Sequence, residues 1–167
     1  MKKLAVYSLL VAMFLLAGCP VLTQNSIDEG SYEVPKWLPG KWHEVKDGHK
    51  KKEGYLLKKG DKTGNLTCYD IDSTGRIDNQ SARRIILSTV GNKIFLCAFS
   101  PADGNNDEGY YLFEFRKRSE KEFELVGIKE HSIDYDAASK DILAFLSANK
   151  DNTDIYSNDD ETIYKKD

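Results

Sequence analysis

Proline is scarce in this chain, 4 residues in 167, so few backbone N–H donors are missing and long paired strands are open to it. There is no excess of positive charge: 24 Lys and Arg stand against 27 Asp and Glu, for a formal charge of -3. That balance, with no long basic face interleaved with aromatics, excludes a nucleic-acid interface. A membrane-spanning run is absent too. The longest apolar stretch, Leu4 to Leu16, would cover only ~20 Å as a helix against a hydrocarbon core of ~30 Å. No Gly-x-Ser-x-Gly, Ser-x-x-Lys, His-Glu-x-x-His, phosphate loop or Cys-x-x-Cys occurs, which points away from an enzyme built on a local motif.

What is present begins at the amino terminus. Lys2 and Lys3 precede the apolar run, and the small residues Ala17 and Gly18 close it, the order of an export signal. The next residue is Cys19, and Leu16-Ala17-Gly18-Cys19 resembles the lipobox of bacterial lipoproteins. The resemblance implies removal of residues 1–18, a diacylglycerol on the Cys19 sulfur and acylation of the new amino terminus. Two or three chains, at ~0.8 kcal/mol per buried methylene, hold a protein on a membrane durably. Pro20 rather than Asp follows the cysteine, which in that family implies the outer membrane of a cell that has one, facing the periplasm. Removing residues 1–18 takes two lysines and no acid, leaving a more acidic chain long enough for one domain.

Residues 19–36 are polar and without sustained period, and read as a lipidated cysteine and tether; about 17 flexible residues would span roughly 23 Å. A single mostly-β domain is expected over 37–167. Strands are predicted from Trp42 through Val45, then at Gly54–Lys59, Asn65–Asp72, Ala82–Thr89, Lys93–Phe99, Gly109–Lys117 and Glu122–Lys129, most of them bounded by Gly, Asn, Asp or Ser. Gly91-Asn92 marks a tight hairpin, and Ser119-Glu120-Lys121 a second. Ala138, Ile142, Leu143, Phe145 and Leu146 follow helical spacing, which predicts an amphipathic helix over about 137–148, capped by Asp136 and ended by a left-handed Asn149. The acidic remainder reads as a loosely ordered tail with one short strand at Thr162-Ile163-Tyr164. Such a chain is mainly β: an antiparallel meander that must close into a barrel, or curve into a half-barrel, with the helix packed on it. Gly40-Lys41-Trp42 at the first strand resembles the Gly-x-Trp signature of lipocalins, whose helix also follows the barrel strands, with a short strand after it; Ile133-Asp134-Tyr135 partly echoes their Thr-Asp-Tyr motif. The resemblance implies a lipocalin-like small β-barrel.

Four groups of residues invite chemistry. Cys68 and Cys97 lie in strand-like runs, either as two buried thiols or as a disulfide contributing roughly 3–4 kcal/mol across about 30 residues. Asp70, Asp72, Thr74 and Asp78, with Gly75, resemble an EF-hand loop, but Ser81 stands where a bidentate Glu is needed, so the expectation is a β-turn and no metal. His43, Glu44, His49 and Glu53 offer zinc-type donors at a spacing that fits a polar strand edge instead. Lys50, Lys51, Lys52, Lys58 and Lys59 form a basic hairpin, either a membrane-facing patch worth ~1 kcal/mol per lysine or a solvated edge. Tyr110, Tyr111, Phe113 and Phe115 occupy both faces of one strand, as core or as the wall of a cavity.

The expected function is that of a non-enzymatic envelope lipoprotein, without cofactor, acting as a binding or accessory module for a small or apolar ligand. The alternative is a structural partner of another envelope protein, and an enzyme without recognisable motif comes third. An apolar cavity would favour the first, a filled barrel with an exposed apolar patch the second.

Overall fold

A computed structural model describes residues 20–102 and 107–167, with the backbone alone at 158–160; the expected signal segment 1–18 and Cys19 lie outside the described residues. The strands in chain order are β1 (Leu22–Thr23), β2 (Gly40–Lys46), β3 (His49–Lys50), β4 (Gly54–Lys59), β5 (Asn65–Ile71), β6 (Ile77–Val90), β7 (Lys93–Ser100), β8 (Gly109–Ser119), β9 (Glu122–Ile128) and β10 (Tyr156–Lys166). One helix, α1 (Ser139–Asn149), and a short 3-10 turn (Thr153–Ile155) separate β9 from β10.

Eight strands close into an antiparallel barrel in the order β8-β7-β6-β5-β4-β2-β10-β9, with β9 pairing back to β8. The reason is one of parity. β2, β4, β5, β6, β7, β8 and β9 form a meander of seven, so its first and last strands run the same way and cannot pair antiparallel. β10 runs opposite to both and fills the gap, joining Tyr164 to Glu44 on one side and to Phe123 on the other. The expected loose tail is therefore a strand of 11 residues that completes the wall. It escapes notice in the sequence because the polar run 158–161, one Asn and three acids, breaks its alternation, at the place where the register with β9 shifts.

The expected tether is also corrected. Val21, Ile27 and Val34 are 2%, 1% and 4% exposed, and β1 pairs with the start of β8. From there the segment crosses the outer wall: Asp28 accepts hydrogen bonds from the Gly30 N–H and the Ser88 hydroxyl, and Tyr32 N–H donates to the Leu87 carbonyl. Gly30 passes so close to Gly64 that a side chain on either would meet backbone. The segment ends at Trp37 and Leu38, which pack under the barrel; the Trp42 indole N–H donates to the Leu38 carbonyl at 2.8 Å.

Helix α1 lies on the same outer wall and buries Ile142 and Leu146 among Val90, Phe95 and Cys97, while Leu143 stays exposed. Its cap is not Asp136: Ala138 takes the N-cap position without a side-chain hydrogen bond. Nor does Asn149 turn left-handed. It remains helical, its side chain donating to the Phe145 carbonyl, and Lys150 continues the helical conformation. Lys93 holds this end, its ammonium donating to the Lys150 carbonyl at 2.6 Å, where a cation suits the helix dipole.

Candidate polar end of the barrel

Cross-strand partners share a face of a sheet, so the register shows what lines the barrel. One row runs Trp42, Tyr55, Asp70; the next Leu57, Cys68, Arg83; then Leu66, Ile85, Ala98, Tyr111. Further round come Leu87, Leu96, Phe113, Gly127; Ile94, Phe115, Leu125, Thr162; and Phe123, Tyr164, Glu44. Within the barrel each row passes from apolar residues to a polar one or a glycine, while at the far edge the same pairings run on to Lys59, Gly40, Lys117 and Lys166. The apolar starts gather where Trp37 and Leu38 plug the barrel, and the other ends gather at the opposite rim, beside the turns 47–53 and 72–76.

At the apolar end the filling is aromatic: Trp42 meets Phe123 at 4.6 Å between ring centroids, and Phe123 meets Phe115 at 5.1 Å and Tyr164 at 5.0 Å. Tyr55 and Tyr164, 6.0 Å apart, mark the change of character. Protein surrounds most of both rings, and neither residue is fully buried. Neither hydroxyl has a hydrogen-bond partner among the described residues. Burial pushes both phenols well above their ordinary range, Glu44 and Cys68 adding to the effect on each. Above them Asp70 is joined to Arg83, and Glu44 to Lys51 at 2.6 Å. Burial raises the Asp70 carboxyl above its ordinary value, outweighing the Arg83 guanidinium. The arrangement offers two hydroxyls, two carboxylates and two cations around an aromatic floor, with no thiolate or imidazole poised as a nucleophile or base.

Most of the sequence candidates disperse. Cys68 faces the interior and Cys97 the outer wall, on strands separated by β6 and so ~10 Å apart; both are free thiols, and burial pushes each up to about 12. The calcium-like loop is a turn. Asp72 accepts from the Thr74 and Arg76 N–H groups at 2.9 Å each, Asp78 from the Gln80 N–H, and Asp70 is spent on Arg83. His43 points outward to Asp167 while Glu44 points inward, so the zinc-type donors separate, and no group of three metal-ligating side chains occurs among the described residues. The lysines do not form one patch. Lys50 pairs with Asp167 and Lys51 with Glu44, while Lys58, over the Tyr69 ring at 4.8 Å, and Lys59 lie toward the other end of β4. Recesses of about 400 Å³ beside Lys59–Asn65 lie outside the barrel and are lined mainly by polar groups. The residues the sequence reading missed are Tyr55, Arg83 and Tyr164. Alternation outward from Trp42 would have placed Glu44 on the interior face, but no local signal names the tyrosines.

Fold and site together define a small closed antiparallel β-barrel with one filled and one polar end. No protein-family model matches the chain, and no curated protein matches it. Among solved structures it is similar to a DUF4909 family protein from Staphylococcus aureus subsp. aureus Mu50, at 12% identity over 79% of this chain and 98% of that one, with a TM-score of 0.46. A likeness that distant says nothing of what this chain does.

Proposed function

We propose that this chain is a lipid-anchored envelope protein, attached through Cys19 and facing the periplasm from the outer membrane where the cell has one, that binds a small ligand at the polar end of its barrel without transforming it. The observation that carries the binding reading is the Tyr55–Tyr164 pair, two enclosed hydroxyls left without protein partners beneath Arg83 and Asp70; such groups are paired in nearly all folded proteins, by water or ligand if not by protein. The anchor is supported by Leu16-Ala17-Gly18-Cys19 and by a fold that is already packed at Pro20. A second reading, an accessory protein that docks a partner on the same end, draws on the filling of the rest of the barrel by Trp42, Leu87, Phe115 and Phe123. Native mass spectrometry of the protein purified from membranes tests both. A small adduct that disappears in the Tyr55→Phe, Tyr164→Phe double variant supports the ligand binder, because that change removes only the hydroxyls. An adduct that survives it, or none, contradicts this site.

A further inference from the structure

The missing tether decides how an anchored barrel would stand. Pro20 is buried and bridges to Lys129, just past the end of β9. Val21 is clamped on both sides, its N–H donating 2.7 Å to the Ile128 carbonyl and its carbonyl accepting from Leu112 N–H at 3.3 Å. Cys19 directly precedes Pro20 in the chain, so chains attached to it would enter the bilayer one residue from the rim. This is the polar rim: β9 ends here and β8 begins.

We infer that the anchored protein stands on the bilayer by this rim, the lipid headgroups against 129–136 and the Trp37 end pointing away. The inference rests on the proposed lipid attachment at Cys19. A second observation marks the same rim. Tyr135, one of two large apolar side chains exposed among the described residues, lies here, beside the amino-terminal segment: its carbonyl accepts from Gln24 N–H at 2.6 Å, and its hydroxyl donates to the Glu108 carbonyl at 2.7 Å. An exposed tyrosine with an apolar ring and a polar tip suits the headgroup level.

Charge offers this rim no help. Across the rim Lys50 and Lys51 are paired with Asp167 and Glu44, Lys46 and Lys52 stand beside Asp47 and Glu53, and Lys129 and Lys140 are outnumbered by Glu130, Asp134, Asp136 and Asp141, so anionic lipid is not attracted and the acyl chains alone hold the contact. The consequence for the site is direct: Tyr55, Tyr164 and Arg83 open toward the headgroups, and whatever binds them arrives along the membrane surface.

The test couples residues 19–167 through the Cys19 thiol to a maleimide lipid in phosphatidylcholine vesicles; Cys68 and Cys97 are buried and do not compete. Single indoles are added at the rim by Glu130→Trp or Tyr135→Trp, and at the far end by Asp61→Trp or Glu120→Trp, each variant checked for unchanged thermal unfolding. Brominated phosphatidylcholine should quench the added rim emission about twofold and leave the far-end emission unchanged. Equal quenching at both ends, or none at the rim, overturns the orientation. Uncoupled protein should not bind vesicles rich in phosphatidylglycerol, and binding there would overturn the claim that the anchor alone holds the contact. Because coupling is chemical, absence of lipid on Cys19 in cells would refute the anchor and leave the quenching result to be judged by itself.

Discussion

Asp70 and Arg116 show how individual charges are placed in this barrel. Asp70 has its carboxyl raised by burial above an ordinary 3.8, so its protonated form is favoured in the folded state. That contribution is complete below the ordinary value, where both states are protonated, and is lost as pH rises through the raised native value. Asp70→Asn cannot titrate. The stability of the wild type relative to this variant, read from urea midpoints, should therefore fall as pH rises from about 3 to 6, and a flat or rising difference would contradict the burial of Asp70. On the outer wall, Glu114 and Glu124 have side chains only 7% and 6% exposed, bridged by Arg116 at 2.9 and 3.7 Å. Lys93 and Arg118 remain to each of them if Arg116 is lost. Arg116→Ala should thus cost about 1–3 kcal/mol in denaturant unfolding, less than a fully buried pair because the arginine is 37% exposed. Alternation along β8 predicts that Glu114 shares a face with Leu112, but not that cations from β7 and its own strand would cover it.

The elements that local pattern specifies are the ones the sequence announces. Gly91, at φ +63°, makes the hairpin that Gly91-Asn92 predicts, and the strands from Gly54 to Ile128 fall where aromatic and β-branched runs lie between turn residues. β6 begins five residues earlier than expected, at Ile77, because Asp78 to Ser81 look like a loop yet pair with β5 across a bulge. The segment 20–38 was illegible for a different reason: Val21, Ile27 and Val34 have no common period, and their burial depends on a wall built by distant strands. It is predicted to belong to the fold. Ile27→Ala should cost about 2–4 kcal/mol, read as a lowered urea midpoint. A chain starting at Trp37 should lose the cooperative unfolding that one starting at Pro20 keeps; equal stability of the two would restore the tether.

At the scale of the whole molecule, the barrel was legible and its site was not. Strand count and edge protection call for closure, but seven strands cannot close antiparallel, and the eighth hides in an acidic stretch. The polar end assembles Glu44, Tyr55, Asp70, Arg83 and Tyr164 from β2, β4, β5, β6 and β10; Tyr164 lies 81 to 120 positions from the other four, so the strand register and no local motif joins them.

 Glu44 and Tyr164, direct neighbours across β2 and β10, show the difficulty most plainly, since only the closed register brings them together.

The measurement that bears most directly on the central claim is the intact mass of the protein extracted from the membranes of its own cells. A chain beginning at Cys19 and carrying a diacylglyceryl group and an amino-terminal acyl chain is expected, with a Cys19→Ala variant left uncut and unlipidated. An unmodified chain at the full 18.9 kDa, or a Cys19→Ala variant that still reaches the mature lipid-anchored form, would contradict it.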